Sequence, residues 1–477
     1  MANRISLLSA VAALALSGCA AGPDGVASLP QYSDATSGPF LSAEAGLTTP
    51  SPLPDEWWRM YRDPVLDGLV VDALAANTDI RQAVGRIDRA RAALRSARSD
   101  RLPQVGLNSS STYGQTSQSQ TAPGSDRRGA SFSVGADLAY EVDLFGRVSS
   151  NVDAAQGDVA TARADADAVR VMVVADTTLA YANAASAAAR IEVARSIVEL
   201  LDSSLRLTRL RHDAGMADGL AVARIESLRQ QRAAAIPEIE AERSAALFAL
   251  ATLTGRAPSQ LPAISGERSL PLEITTPLPV GDGAQLLQRR PDVRAAEQRV
   301  LSDSARIGVA RADLYPRITM GGSVGTSASS LGNIFSGGAL GFLLGPLVEW
   351  ALPNREPVRA RIDAAEADAD ISLAAFDGTV LVAIQETETA LSNYARSIEQ
   401  RRALVLAVDA AVRAARITRA QHREGVINSL DTLDAERTMA EARAALADQD
   451  ARVSERQIAV FRALGGGWSN DGPGAGA

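Results

Sequence analysis

Two stretches of the chain set small apolar residues at helical spacing among charged ones and contain almost nothing that breaks a helix. Residues 148–212 hold one glycine, Gly157, and no proline; residues 358–424 hold one glycine, Gly378. At about 1.5 Å per residue each predicts a helix on the order of 100 Å long. The Ala, Val, Leu and Ile positions suit close helix–helix packing in a coiled coil, with Asp, Glu and Arg on the wetted face. A tight turn follows each, Asp213 to Asp218 and Arg423 to Asn428. Gly215 and Gly425 suit the left-handed position that ends a helix, and Asp218 and Asn428 suit the next N-cap. Shorter helices return over about 219–254 and 429–464, with Pro237 placed to kink the first. Ahead of each long helix stand two strand-like segments. Val105, Leu107, Ser109 and Ser111 alternate with polar or small residues. Phe132, Val134, Ala136, Leu138 and Tyr140 alternate with Ser133, Gly135, Asp137, Ala139, Glu141 and Asp143. Period two gives one apolar and one polar face. Ile318–Ser327 and Gly341–Trp350 do the same later. A helix over 64–101, and another over 282–314, precede the hairpins and stop before Pro103 and Pro316.

The order helix, hairpin, long helix, return helix therefore occurs twice, and the sequence repeats with it. Thr208-Arg209, His212, Gly215, Leu220 and Glu226 recur as Thr418-Arg419, His422, Gly425, Leu430 and Glu436, and Leu102-Pro103 as Tyr315-Pro316. This is an internal duplication rather than a many-repeat solenoid. The repeats run over 57–255, with hairpin 104–143, and 281–464, with hairpin 317–352. A proline-rich linker, 256–280, joins them, an extended Pro/Gly/Ser-rich segment, 19–56, precedes them, and 465–477 reads as a flexible tail.

The strands are long enough to cross an outer membrane, which takes about 9–11 residues. Four strands are too few to close a barrel in a bilayer, where edges must be paired. A barrel would have to be shared: two chains supply eight strands, three supply twelve and leave room for a lumen. Asp137, Glu141 and Asp143 are tolerable on a face that lines water. Tyr140, Phe145 and Trp350 lie near the strand–helix junctions, where an aromatic girdle would sit. The same residues also suit the core of a soluble sandwich; an export signal and the rods favour the membrane.

That signal is at the start. Arg4 precedes an apolar run from Leu7 to Leu16, too short to span a bilayer, so 1–18 reads as a secretory signal peptide. Leu16-Ser17-Gly18-Cys19 looks like a bacterial lipobox, in which Cys19 is lipidated; an ordinary signal with an incidental cysteine is the alternative. Cys19 is the only cysteine, which excludes intrachain disulfides and cysteine-built zinc sites. All 48 basic residues are arginine, which excludes lysine-dependent chemistry such as a phosphate-loop or Schiff-base lysine. The net charge of -8 speaks against nucleic acid as a partner. No nucleophile–base–orienter set and no metal spacing is present, so neither enzyme activity nor a cofactor beyond the lipid is expected. Gly321-Gly322-Ser323-Val324-Gly325 lies inside a strand with no helix after it, and reads as close backbone packing rather than a phosphate loop.

Gln288-Arg289-Arg290-Pro291-Asp292, Ala295-Ala296-Glu297 and Ile307 to Pro316 resemble the signature of outer-membrane efflux lipoproteins, the TolC-like outer membrane factors of the NodT/OprM type. Trp57-Trp58, Asp63-Pro64 and Leu69-Val70 are similar to that family's entry into its first helix. The likeness runs from about Trp57 to Leu464. It implies an α+β membrane protein: a homotrimer whose chains each give four strands to a 12-stranded barrel in the bacterial outer membrane, above a long coiled-coil α-barrel in the periplasm. It implies a tripartite efflux pump, with a periplasmic membrane-fusion adaptor on the helical tips and an inner-membrane RND-type transporter driving export of small molecules. A duct for type I protein secretion and a non-conducting envelope lipoprotein are the alternatives. Leu430, Asp434 and Arg437 match the family's periplasmic constriction, where Asp434–Arg437 pairs would hold the tip shut; an exposed ion pair of no consequence is the bland alternative. The matching places of the first repeat carry Arg224 and Ser227. The tips, with His212, Gly215 and Leu220 in one and His422, Gly425 and Leu430 in the other, are candidate adaptor-docking sites, although the histidines and glycines also suit plain helix capping.

Overall fold

A computed structural model describes residues 38–467, apart from 116, 118, 120–126, 217, 337–338, 351–353 and 428. The signal segment, Cys19 with its lipid, Asn428 and the tail beyond 467 lie outside the described residues. The helices are α1 (Pro64–Ala76), α2 (Thr78–Ser99), α3 (Arg147–Asp213), α4 (Gly219–Leu253), α5 (Gly283–Arg289), α6 (Pro291–Ala312), α7 (Glu356–Arg423) and α8 (Ser429–Ala463). The strands are β1 (Thr48–Thr49), β2 (Gln104–Gln115), β3 (Arg128–Glu141), β4 (Leu278–Pro279), β5 (Arg317–Ala328) and β6 (Leu340–Glu349). They form two compact units.

The first unit takes in 86–163 and 295–377. Its sheet has the order β2-β3-β5-β6, antiparallel throughout, so the two hairpins are joined through β3 and β5. The register puts Leu107, Ala136, Val324 and Phe342 in one row, and Val105, Leu138, Gly322 and Leu344 in another, on one face. The opposite face carries Asn108, Ser110, Ser133, Asp137, Glu141, Thr319 and Ser323. Leu343 and Leu347 interrupt it at the β6 edge. Glycines let the backbones approach on the polar face: a Cβ at Gly325 would lie 2.8 Å from the Val134 carbonyl oxygen and 2.9 Å from the Gly135 Cα. Asp143, expected as a third acid on the polar face, lies beyond the end of β3. It accepts from the Val148 N–H at 3.0 Å and the Ser149 N–H at 2.8 Å, so it serves the start of α3, where the helix dipole favours a negative charge. Burial pushes its carboxyl up, but the bonds from Ser149 and Val148 outweigh this and hold it below the ordinary value. Nearby, Phe145 stacks on Tyr315 with centroids 4.6 Å apart, and the Trp350 indole donates to the Leu314 carbonyl at 3.1 Å. In this unit α3 and α6 touch through small residues. A Cβ at Gly157 would lie 2.9 Å from Ser302 Cβ, and one at Gly308 2.7 Å from Ser150 Oγ. The Ser302 hydroxyl donates to the Ala154 carbonyl at 2.9 Å.

The second unit takes in the described parts of 31–85, 164–294 and 378–477. Trp57, fully buried, stacks on Phe461 at 4.5 Å and meets Trp58 and Tyr61 edge-on. Leu66, Leu250, Leu278 and Leu391 join the same core; each contributes about 1.5–3 kcal/mol relative to exposure. The helix expected over 64–101 is two. Asn77 is extended and its side chain accepts from the Asp79 N–H at 2.8 Å, capping α2. The helix expected over 282–314 also breaks, at Arg290, because the residue before a proline avoids the helical region. The two breaks do the same work. Asn77 Nδ2 donates to the Leu253 carbonyl at the end of α4, and Arg290 Nη1 to the Ala463 carbonyl at the end of α8, both at 3.0 Å. Gly255 and Gly465, both left-handed, follow these carbonyls. The helix α4 runs on through Pro237. Upstream, Leu41 and Ser42 donate their amides to the two oxygens of Glu388, at 2.7 and 2.8 Å, and β1 pairs in parallel with β4 of the linker. Buried Gln457 holds that linker by exchanging bonds with both backbone groups of Ile274.

Candidate functional site at the helix turns

The turn between α3 and α4 and the turn between α7 and α8 both lie in the second unit. Each is closed the same way. Gly215 (φ +74°) donates to the His212 carbonyl at 2.9 Å, and Met216 to the Arg211 carbonyl at 2.8 Å. Gly425 (φ +74°) donates to His422 at 3.1 Å, and Val426 to Gln421 at 2.9 Å. This is the 5→2 and 6→1 pairing of a left-handed cap. The Asp218 side chain then accepts from the Ala221 N–H at 2.8 Å and starts α4. Both turns expose apolar side chains: Leu210, Met216 and Leu220 on one, Ile417, Val426 and Leu430 on the other.

The two histidines occupy equivalent positions in unlike surroundings. His212 is exposed. His422 is half-buried; its Nδ1 lies 3.2 Å from the Ile427 carbonyl, and its Nε2 meets the Arg211 guanidinium, which also donates to the His422 carbonyl at 3.2 Å. In this arrangement His422 ties the second turn to α3.

Leu430, Asp434 and Arg437 fall on one exposed face of α8, as spacings of four and three require. Arg437 Nη2 donates to Asp434 Oδ1 at 2.9 Å, with side-chain exposures of 55% and 65%. In the first repeat Arg224 and Ser227 are exposed at the same places.

Sequence reading did not single out the opposite face of α8, which carries Thr432, Glu436, Met439 and Ala440, all buried. Their spacing marked that face as inward, but a carboxylate on it gave no warning of its partners. Glu436 is 1% exposed and lines a cleft of about 310 Å³ between the helices. Ser204 Oγ on α3 lies 2.8 and 2.9 Å from its two oxygens, and Arg419 Nε 3.6 Å away. Burial pushes the Glu436 carboxyl above its ordinary range, against Ser204 and Arg419. The equivalent pair of the first repeat, Arg209 and Glu226 at 3.3 Å, stays at the surface.

Among the described residues no group of three or more His, Cys, Asp or Glu side chains is placed to hold a metal ion, and no helix is long and apolar enough to cross a membrane.

Against known proteins, the family described as outer membrane efflux protein matches residues 69–256 and 283–466, one match to each repeat. The outer membrane protein OprJ of Pseudomonas aeruginosa is 33% identical over 421 residues, 87% of this chain and 86% of its own length. The toluene efflux pump outer membrane protein TtgF of Pseudomonas putida is 29% identical over 478 residues, 97% of each chain. The solved structure of the outer-membrane channel OprN superposes with a TM-score of 0.87 at 34% identity, covering 94% of this chain and all of that one.

Proposed function

The chain belongs to the outer membrane efflux protein family and is an efflux channel of the outer membrane; from that premise we propose that three copies close a 12-stranded barrel, and that α3, α4, α7 and α8 of each chain build an α-helical duct. The carrying observation is the sheet. Its strands are even in number and strictly alternate, so β6 of one copy can continue antiparallel into β2 of the next. Both edge strands are exposed, one face is apolar, and the other is polar. Such a sheet leaves two unpaired edges that a bilayer does not tolerate, and closure on copies of itself removes them. The polar face then lines water and the apolar face meets lipid. Three copies rather than two leave an open lumen.

In this reading Cys19 carries the lipid anchor, and small molecules pass from the periplasm to the exterior. A periplasmic adaptor docks on the exposed apolar side chains of the two turns, and an inner-membrane RND-type transporter supplies the energy. Leu430, Asp434 and Arg437 form the periplasmic gate. A photo-reactive residue in place of Tyr113, on the β2 edge, tests the assembly: cross-linked species reach the mass of three chains, and a ladder ending at two overturns the trimer. The same probe at Leu220 or Leu430, in cells, tests the partners. Capture of an adaptor of a proton-driven pump supports drug-type efflux; capture of an ATP-driven secretion transporter moves the cargo to protein.

A further inference from the structure

We propose that Glu436 is a proton-operated latch, fastening the first turns of α8 to α3 when its carboxyl is protonated and releasing them when it ionises. The proposal rests on the reading of Leu430, Asp434 and Arg437, which sit on those same turns, as the gate.

The geometry has one hydroxyl facing two carboxylate oxygens. Ser204 Oγ is within hydrogen-bond reach of both, but it has a single proton to donate. An ionised Glu436 therefore leaves one buried oxygen without that donor. Arg419 does not make up the difference: its Nε, 3.6 Å from Oε1, donates instead to the Ala415 carbonyl at 3.1 Å, and its Nη2 is turned to Met439 Sδ at 3.8 Å. Protonated, the carboxyl closes the contact in both directions, accepting from Ser204 Oγ through one oxygen and donating back through the other. Beside it Thr432 Oγ1 is buried with no hydrogen-bond partner, so that hydroxyl adds no polar tie to α3. The adjoining cleft gives α8 room to move.

The charges around Glu436 come from one side. From α7, Arg416, Arg419, His422 and Arg423 line the cleft. From α3 the facing group is Ser204, while Arg211 is engaged with His422. From α4 only Ile225 reaches the cleft. On α8 itself Asp434 and Arg437 are paired with each other on the opposite, exposed face. Burial opposes ionisation, while the Ser204 hydroxyl and the Arg419 charge favour it; burial is the larger. A group whose carboxyl lies higher in the folded state than in the unfolded one stabilises its contact fully at low pH and loses that contribution as pH rises through the folded value. The latch is thus fastened in acid and loosened towards neutrality and above. The first repeat lacks it, since Glu226 is exposed beside Arg209.

The test is amide hydrogen exchange over 430–440 in the full-length assembled protein from pH 4.5 to 8, corrected for intrinsic rates. In wild type, protection falls several-fold as pH rises. Glu436→Gln, which keeps the neutral hydrogen-bonding form, holds the acid level at every pH, and Ser204→Ala is low at every pH. Wild-type protection that is flat across the range, or a Glu436→Gln profile that follows wild type, overturns the latch. Leak conductance on the same samples separates the two readings. Protection that moves with pH while leak does not keeps the latch and overturns the gate; leak that moves while protection does not overturns the latch.

Discussion

If the proposed gate is right, breaking the Asp434–Arg437 pair opens the channel by an amount that can be bounded. Within one chain the pair is an exposed i,i+3 contact at 2.9 Å, of the kind that contributes about 0.2–0.5 kcal/mol. If three copies open as a unit, loss of all three pairs costs about 0.6–1.5 kcal/mol and shifts the closed-to-open ratio about 3- to 13-fold. In the proposed trimer, convergence of three tips on one axis would add a second contribution. Arg437→Ala then leaves three Asp434 carboxylates facing one another without their partners, a repulsion the isolated pair does not contain. Arg437→Ala should therefore raise leak beyond the 13-fold bound, and by more than Asp434→Ala does. The double variant, which removes both signs of charge, should leak less than the sum of the two. The assay is single-channel and macroscopic leak of purified protein in planar bilayers, without any partner. If Asp434→Ala and Arg437→Ala both leave leak at the wild-type level, these residues do not hold the gate. If the two variants leak equally and within the bound, the pair acts alone and the tips do not converge.

Three further substitutions test the scaffold. Gly157→Ala gains about 1 kcal/mol of helix propensity but forces α3 and α6 apart at Ser302, costing about 1–3 kcal/mol; Gly378→Ala, with open space around it within the chain, keeps the gain, so thermal unfolding followed by circular dichroism should rank Gly378→Ala above wild type and Gly157→Ala at or below it. Gly325→Val places a branched side chain against the Val134 carbonyl and should sharply lower the yield of folded protein in the outer membrane; wild-type yield would mean that this close approach is dispensable. Asp143→Ala removes the ties to the start of α3 at a cost of about 0.5–2 kcal/mol. Because the folded Asp143 carboxyl lies below its ordinary value, that contribution is present above about pH 4 and lost as pH falls through the depressed value, so the gap in melting temperature between the variant and wild type should close in strong acid.

Much of the architecture was legible because it rests on period. The helical spacing over 148–212 and 358–424 and the alternation over 132–140 each encode one buried face, and one chain suffices to read them. The left-handed glycines at 215 and 425 were legible for a similar reason, since few residues tolerate that conformation. What was not legible is what depends on contacts between distant elements. Asn77 looked like one more polar position in a helix; that it breaks the helix follows from the Leu253 carbonyl it must satisfy, 176 residues away. Pro291 was visible, yet the flanking helical pattern outweighed the restriction it places on Arg290. Asp143 continued the strand's alternation on paper, but the bare amides at the start of α3 claim it. Glu436 carried no local sign that a serine on α3 would face it.

The duplication makes one more distinction possible. Where the two repeats place different residues in the same role, the role is structural: Asn77 and Arg290 differ in size and charge, and both satisfy the last carbonyls of a return helix. Where they hold the same residues in different surroundings, the difference is added by the assembly of the two copies into one chain. Arg209–Glu226 and Arg419–Glu436 are the same pair at the same place, but only the second is carried inward against Ser204. The histidines diverge in the same direction, His212 at the surface and His422 held by Arg211. All these asymmetries bind the second turn to α3, and α8 also carries the charge pair that the first repeat replaces with Arg224 and Ser227. A channel built from two equal hairpins would have no hairpin singled out to move. In the proposed latch this chain singles out one, by fastening its α7–α8 pair with contacts that loss of a proton, or a partner pressing on the turn, can undo.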